Sequence, residues 1–235
     1  MKPADLLFTQ GFGTRRECAA LVANGFLEVE GIGVVDDFER DLDIADELWF
    51  RVRGGPRWPY RERALVVMNK PAGYECSQKT RHHASVYSLL PAPLRQRGVQ
   101  AIGRLDEDTT GVLLFTDDGT LVHRLTSPKH HVAKVYEVTC KHAVDAVQVD
   151  RLRAGVLLHD DDETVRAAAC EATGERALQL TLVEGKYHQV KRMVAAVGNR
   201  VEALERSAFG SVRVDGLAAG AWRWLDADRA FAPQR

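Results

Sequence analysis

The chain has 235 residues, a net charge of −1 and a hydrophobic content of 45%. This composition is typical of a folded protein with a buried core, and it excludes a fibrous repeat or a largely disordered chain. Because the net charge is close to zero, any contact with nucleic acid must use local basic patches rather than a positive field over the whole surface.

The N-terminal part of the sequence predicts a small α/β module. Thr14 and Glu17 have the spacing of a capping box, and Asn24-Gly25 offers a stop, so we predict a helix over 14–24 with a second short helix before it. Glycine-punctuated apolar residues between 26 and 35 and the segment LWFRV at 48–52 predict short strands. The segment RGGPRWPYRER at 53–63 is typical of a linker. We therefore place a module at 1–58 and a larger domain at 59–235.

The larger part predicts an α+β domain. Splitting the charges at the predicted boundary gives 7 basic and 11 acidic residues before it, and 25 basic and 22 acidic residues after it. Helical patterns lie around 144–154 and 187–197, without the regular strand–helix alternation of a parallel sheet, so we predict a largely antiparallel sheet. Its predicted strands are ALVVMN (64–69), VLLFT (112–116), KVYEVTC (134–140), RALQLTLV (176–183) and VRV (212–214).

The segment GRLDEDTTG at 103–111 is a polar loop between two predicted strands. An arbitrary run of acids at such a place more often only solvates a turn. Leu105 favours a functional reading, since an inward-pointing apolar residue would let Arg104 and Asp106 project together from the other side of an extended chain. The sequence therefore predicts an arginine beside a carboxylate on a loop held between rigid elements.

The segment EGKYHQVKRM at 184–193 predicts an amphipathic helix, because Val190, Met193, Val194 and Val197 recur at helical spacing. Lys191 flanks this apolar stripe, and Arg192 points further from it. A flanking lysine can present its ammonium to a cleft while its stem covers apolar surface. Spacing alone leaves open whether these residues are functional or are two solvated cations.

Tyr136 lies within the predicted strand 134–140, and from the pattern alone it is more simply a core tyrosine with a satisfied hydroxyl. The pairs His82-His83 and His130-His131 do not predict a metal site, since adjacent residues of an extended chain point in opposite directions and no third ligand is evident. No phosphate-binding GxxxxGK[ST] motif occurs, so nucleotide-driven chemistry is unsupported.

The cysteine pattern and the hydropathy of the chain both bear on its location in the cell. The four cysteines lie far apart without a CxxC pair, which predicts mostly buried thiols rather than a disulfide framework or a zinc site. No apolar stretch approaches the roughly 20 residues that cross a bilayer, and an acid interrupts the first ten residues where a signal peptide would continue its apolar core. We expect a cytoplasmic protein.

Four ordered segments carry a resemblance to a known family. NKPAGY (69–74), GRLDEDTTG, KVYEV (134–138) and EGKYHQVKRM followed by VGNRVEALER resemble the motifs of the RsuA/RluB/RluE/RluF group of pseudouridine synthases, which modify ribosomal RNA. The likeness runs along nearly the whole chain. The TTG after the acidic loop, SPKHH at 127–131, KYHQVKRM and AAVGN at 195–199 look most like the RsuA branch, which acts on one uridine of 16S ribosomal RNA, the uridine 516 type.

The resemblance implies an N-terminal module similar to the ribosomal-protein S-four RNA-binding fold, followed by a pseudouridine synthase domain. It implies that Asp106 is the catalytic aspartate, that Tyr136 stacks on the uracil, and that Lys191 keeps the carboxylate charged, with no cofactor and no metal. It also implies that the target base is extruded from folded RNA, and that Arg104 fills the gap.

The remaining expectations concern RNA contacts and partners. The partner implied is 16S ribosomal RNA or an assembling small subunit, without a membrane or a nucleotide cofactor, and the protein is expected to be a monomer. The strongly acidic segment 36–47 weakens the expectation that the N-terminal module binds RNA by itself. The cations expected to contact RNA phosphates are Arg15, Arg16, Lys129, Lys134, Lys186 and Arg192.

Three alternatives remain open from the sequence. The chain could be a ribosome assembly factor that binds RNA without catalysis, or it could act on a uridine of 23S ribosomal RNA. It could also be a glycosidase-like hydrolase in which Asp106 and Asp108 form an acid/base pair. Release of free uracil would distinguish a hydrolase from an isomerase.

Overall fold

The computed structural model describes residues 1–44, 48–158 and 163–231. The chain forms two compact units: the first contains residues Met1–Ala64 and Leu90–Val99, and the second contains Leu65–Leu89 and Gln100–Arg235. The boundary at residue 58 stays a prediction about sequence modules. Of the acidic segment 36–47, residues 45–47 lie outside the described residues.

The first unit combines short helices with a small sheet, as the N-terminal sequence predicts. Thr14 caps α2 through a complete capping box with Glu17, which confirms the predicted helix start. The four strands pair antiparallel in the order β2-β1-β3-β4. The elements of this unit are α1 (Pro3–Thr9), α2 (Arg15–Ala23), β1 (Leu27–Val29), β2 (Gly33–Val35), β3 (Trp49–Val52), β4 (Trp58–Pro59) and α3 (Ala92–Gln96).

The segment 53–63 is not the linker that its composition predicted. Trp58 is buried and packs edge-on against Phe12, with ring centroids 5.4 Å apart, while β4 pairs with β3. Arg57 forms a bidentate pair with Glu30 at 2.6 and 2.8 Å and stacks over Trp49. The glycines and prolines of this segment predict turns, and a strand of only two residues, β4, leaves too short a pattern to be recognised beside them.

The second unit is an α+β domain built on one eight-stranded sheet. Short helical turns at Val86–Leu89 and Pro128–His130 complete it. Its strands are β5 (Leu65–Lys70), β6 (Tyr74–Glu75), β7 (Ala84–Ser85), β8 (Gln100–Ile102), β9 (Thr110–Thr116), β10 (Lys134–Cys140), β11 (Val156–Leu157), β12 (Thr164–Val165), β13 (Ala169–Gly174), β14 (Ala177–Leu182), β15 (Val201–Phe209) and β16 (Trp222–Trp224). Its helices are α4 (Gly119–Thr126), α5 (Ala146–Ala154), α6 (Gln189–Ala196) and α7 (Ala227–Ala230).

The main sheet runs in the order β13-β14-β10-β15-β9-β5-β16, with β8 beside β9. Only the β9–β15 pair is parallel among its described ladders, so the predicted mainly antiparallel, mixed sheet is confirmed. The predicted strand at 212–214 is wrong: Val212 makes one isolated bridge with Phe209, and the central strand is β15 just before it.

A close approach of two backbones joins the halves of this sheet. Gly111, the second residue of β9, has φ +97°, and a Cβ there would collide with the carbonyl oxygen of Arg206 on β15. Only glycine allows this separation, because it tolerates positive φ and has no side chain to displace. The strand order therefore brings the loop that precedes β9 to the edge of the β10–β15 surface.

An apolar core of the second unit packs on one face of β9 and β5. Leu65, Val67, Ile102, Val112 and Leu114 are almost fully buried in it. The cysteines Cys18, Cys140 and Cys170 are buried and Cys76 is half-buried, all with free thiols, in agreement with the sequence. No helix among the described segments is both long enough and apolar enough to cross a membrane.

Candidate active site

A buried lysine fixes the backbone of the loop that carries Asp106. Lys70, at the end of β5, is fully buried, and its ammonium donates hydrogen bonds to the carbonyl oxygens of Pro71, Glu107 and Thr109 at 3.0, 3.2 and 2.8 Å. Burial lowers the pKa of this ammonium, although the negative charges of nearby acidic groups oppose the shift. Leu105 is buried as predicted. The loop is thus fixed at its backbone while Asp106 stays accessible.

Both carboxylate oxygens of Asp106 have a partner from the start of α6. Oδ2 lies 3.0 Å from Nζ of Lys191, and Oδ1 lies 3.1 Å from Nε2 of His188. His188, the residue just before α6, adopts the left-handed conformation with φ 47°, which is uncommon outside glycine. The two contacts fix the orientation of the carboxylate plane.

Lys191 also binds Asp108, with Nζ 2.7 and 2.9 Å from the two carboxylate oxygens. Partial burial would lower the pKa of Lys191, but the hydrogen bonds that it donates to Asp108 and Asp106 raise it above the ordinary value. Partial burial would raise the pKa of Asp108, but the bond and charge of Lys191 lower it. The ammonium therefore stays protonated and stabilises the negative charge on the loop.

Tyr136 lies on the middle of β10, opposite Arg206 on β15. Residues directly opposite each other in an antiparallel pair share one face of the sheet, so Tyr136 and Arg206 are neighbours on the same surface. Tyr136 is 9% exposed, and its hydroxyl has no hydrogen-bond partner among the described residues. The residue is therefore buried like a core tyrosine, but its polar end is not satisfied as a core tyrosine's would be.

These residues line one cavity of about 170 Å³ in the second unit. Five of the lining side chains are lysine or arginine and one, Asp106, is a carboxylate. Apolar walls come from Leu182, Leu204 and Phe209. A single carboxylate in a cationic pocket with an aromatic wall is suited to act on a planar, electron-rich ring attached to a centre that develops positive charge.

The structure brings most of the predicted site residues together. Asp106, Tyr136, Lys191, Arg104, Lys134 and Lys186 all line the cavity. Arg104 is exposed at the cavity, and Lys186 lies 3.8 Å from Glu163. Lys134 is only 8% exposed and donates to the carbonyl oxygen of Val132 at 2.9 Å, so it lies inside the cavity rather than on an open RNA-binding surface.

The other predicted RNA contacts lie outside the cavity lining. Lys129 is exposed in the helical turn Pro128–His130, and Arg192 donates to the carbonyl oxygen of Tyr187 at 3.4 Å. On α2 of the first unit both arginines are exposed, and Arg15 pairs with Asp5 at 2.7 Å.

Sequence reasoning missed three residues of this site. Lys70 lies in the segment NKPAGY and His188 lies in KYHQVKRM, yet neither received a role, although both segments were singled out. Arg206 was missed because no strand was predicted around it. No group of three or more His, Cys, Asp or Glu is placed to hold a metal ion within residues 1–44, 48–158 and 163–231.

Comparison with known proteins gives a consistent set of relatives. The sequence matches the family described as RNA pseudouridylate synthase over residues 64–196. It is 39% identical over 230 residues to a Bacillus subtilis protein named uncharacterized RNA pseudouridine synthase YtzG, covering 96% of this chain and 95% of that protein. It is 42% identical over 172 residues to ribosomal small subunit pseudouridine synthase A of Escherichia coli, covering 73% of this chain and 71% of that protein.

A solved structure agrees with these relatives. A crystal structure described as a pseudouridylate synthase superimposes with a TM-score of 0.68 at 30% sequence identity, and the match covers 98% of both chains. The likeness therefore extends over both compact units.

Proposed function

Since the chain belongs to the RNA pseudouridylate synthase family, we propose that it converts one uridine of 16S ribosomal RNA to pseudouridine. The protein is an RNA pseudouridine synthase of the RsuA type. The observation that carries the proposal is the pairing of Asp106 with Lys191 at 3.0 Å in a cavity that also holds Tyr136. The small-subunit target is supported by the 42% identity to the small-subunit synthase of Escherichia coli, and we expect a uridine of the 516 type.

The reaction breaks the bond between the anomeric carbon C1′ and N1 of uracil, and forms a bond between C1′ and C5. The net change needs no redox step, no water and no energy carrier, so we expect no cofactor. A carboxylate beside the sugar can act as a nucleophile, as a base or as an electrostatic partner of a cationic centre. We assign this task to Asp106, whose orientation is fixed by Lys191 and His188.

Tyr136 has two proposed tasks. Its ring would stack on the uracil, and its hydroxyl would help to remove the proton from C5 after the new bond forms. The buried ring and the absence of a hydrogen-bond partner for the hydroxyl, within the part of the chain that the structure describes, support this assignment.

The target base must leave its stack in folded RNA to reach the cavity. Arg104 is exposed at the cavity two residues before Asp106, where it could fill the gap that the base leaves. Phosphate contacts are assigned to Lys129, Lys186 and Arg192 of the second unit and to Arg15 and Arg16 of the first. We expect a cytoplasmic monomer that acts on the RNA or on an assembling small subunit.

The geometry disfavours the hydrolase alternative. A general acid in a glycosidase needs a raised pKa, whereas the pKa of Asp108 is lowered by its bond to Lys191. Asp106 and Asp108 also share one ammonium, that of Lys191, so their surroundings do not divide an acid from a base.

The target is tested by mapping pseudouridines in 16S and 23S ribosomal RNA from cells with and without this protein. We expect one pseudouridine of 16S RNA to be absent without the protein and restored by its expression. A missing site in 23S RNA would transfer the proposal to the large subunit, and an unchanged map in both RNAs would refute it.

A further inference from the structure

Two cations lie buried side by side in the cavity without a counter-charge. Arg206 is 2% exposed and Lys134 is 8% exposed, and both line the cavity. Among the described residues no carboxylate lies within ion-pair distance of either. Glu184 acts on Lys134 only as a more distant charge. Buried charges are normally paired, because desolvating an unpaired ion is costly.

The hydrogen bonds of the two cations leave donors unused. Arg206 donates from Nε to the carbonyl oxygen of Val112 at 2.8 Å, while its buried Nη2 has no partner. Its Nη1 reaches the start of the Asp106 loop, 3.8 Å from where a Cβ of Gly103 would stand. Lys134 makes one bond, to Val132, of the three that an ammonium can donate.

The surroundings of the two cations offset little of the free-energy cost of burying them. Each cation lies 5.4 Å from the ring centroid of Phe209, which gives a weak cation–π attraction. Burial, and then the charge of Arg206, lower the pKa of Lys134, so the two groups destabilise each other. An arrangement that costs stability in the free protein is expected where a ligand completes it.

The strand register places the pair beside the ring that would hold the base. Arg206 stands opposite Tyr136, and Lys134 precedes Tyr136 by two residues on the same face of β10. Both cations line the cavity beside Tyr136, so a planar ring resting on Tyr136 would have its edge towards them. The edge of uracil carries two carbonyl oxygens, which are hydrogen-bond acceptors.

We propose that Arg206 and Lys134 form a cationic floor that binds the carbonyl oxygens of the everted uracil and stabilises the negative charge that this base acquires during the reaction. The proposal rests on the proposed function, and it adds to that function a site for the detached base. Arg206 is thereby a catalytic residue, and Lys134 recognises the base rather than a phosphate.

The electron balance of the reaction leaves a negative charge on the detached base. When C1′–N1 breaks, both bonding electrons pass to N1, and the uracil becomes a monoanion with its charge spread over N1 and the two carbonyl oxygens. After the ring turns, C5 forms the bond to C1′, C5 loses one proton and N1 gains one. This balance holds whether Asp106 acts as a nucleophile or as a base, so the base carries a negative charge to be stabilised in either case. Fixed buried cations stabilise such a charge more strongly than water does.

A purely structural role is the competing explanation, because Arg206 ties β15 to β9 through Val112. The two explanations differ in their effect on stability. Lys134→Met removes an unpaired buried charge while keeping all but the last atom of the side chain's length, so it should leave the melting temperature unchanged or raise it. A structural cation would lower the melting temperature when it is removed.

The first experiment compares Lys134→Met and Arg206→Gln with wild type and with Lys141→Met, a control that replaces the exposed lysine just after the opposite end of β10. We expect single-turnover rates on 16S RNA to fall at least about 100-fold in the first two variants, with RNA affinity within about threefold. Unchanged rates in Lys134→Met would overturn the proposal, as would a rate loss that follows a fall in its melting temperature.

The second experiment measures binding of two small probes to the whole protein by calorimetry, without RNA: neutral uracil and barbiturate, a planar uracil analogue that is anionic at neutral pH. We expect barbiturate to bind wild type at least about tenfold more tightly than uracil, and the ratio to fall towards one in Lys134→Met and Arg206→Gln. An equal affinity in wild type, or a ratio that the variants keep, contradicts the floor. Because no turnover is needed, a barbiturate preference in a protein that leaves 16S RNA unmodified would support the floor and refute only the proposed target.

Discussion

The ammonium of Lys191 and the carboxylate of Asp106 lie 3.0 Å apart, although one residue belongs to helix α6 and the other to the loop before β9. The fold packs α6 against β15, the strand that runs parallel to β9, and so brings Lys191 to the loop that precedes β9. The same ammonium also binds Asp108, so one cation pairs with two of the three acids of this loop.

Substitutions of Lys191 and of its neighbour Arg192 should have different effects, the first on the reaction rate and the second on RNA affinity. Lys191→Met should lower the single-turnover rate at least about 100-fold, because the charge beside Asp106 is lost, and should change RNA affinity little. Arg192→Gln should weaken binding and reduce the salt dependence of log Kd by about one, while the rate at saturating RNA stays near that of wild type. Weaker RNA binding at an unchanged rate in Lys191→Met would instead identify Lys191 as a phosphate contact.

Tyr136→Phe separates the ring from the hydroxyl. The hydroxyl has no hydrogen-bond partner among the residues that the structure describes, so its removal should change the free energy of unfolding by less than about 1 kcal/mol. We expect turnover to be lost while the RNA still binds, since stacking needs only the ring. Normal turnover together with a large fall in melting temperature would instead identify a core tyrosine.

The Lys191–Asp108 pair predicts a pH dependence of stability. The pKa of Asp108 is lowered, so its contribution is present above its unfolded value of about 3.9 and is lost as the pH falls through the folded value. The pKa of Lys191 is raised, so its contribution is present below about 10.4 and is lost as the pH rises through the folded value.

Thermal melting of wild type and Asp108→Asn over this range checks the prediction. The difference in melting temperature should be constant between about pH 5 and pH 9 and should shrink on both sides. Because Asp108 is more than half exposed, the pair contributes at most about 1 kcal/mol, or roughly 2–4 °C. A difference that persists unchanged at pH 2 would show that the effect does not come from this ion pair.

Gly111 should be among the least replaceable glycines of the second unit. Gly111→Ala combines a strained positive φ with a collision against the backbone of Arg206, and we expect a loss of about 2–5 kcal/mol in the free energy of unfolding. Gly216→Ala is the matched control, since Gly216 has φ +74° but open space around its Cα, and it should cost about 1 kcal/mol. Chemical denaturation measures both, and equal losses would exclude the close contact of β9 and β15.

The sequence predicted the elements whose local pattern agrees with their environment. The capping box of Thr14 and Glu17, the strand 134–140 and the apolar stripe of α6 all appear as expected, because short-range signals determine them. The placement of Lys191 beside the apolar stripe followed from helical geometry alone. Its contact with Asp106 did not, and rested on the family resemblance.

The central strand β15 shows what local patterns miss. Its segment VEALERSAF contains Ala, Leu, Glu and Arg, which favour helices, and its burial does not alternate regularly. Pairing with β10 and β9 on both sides overrides this preference. Arg206 became visible as part of the site only when the strand placed it opposite Tyr136.

The most direct test of the account is pseudouridine formation by Asp106→Asn, assayed with purified protein on 16S RNA beside wild type. The substitution keeps the size of the side chain and removes its negative charge, so product formation should fall at least about 1,000-fold while RNA affinity stays within about threefold. Turnover near the wild-type rate in this variant would contradict the central role of the Asp106 carboxylate.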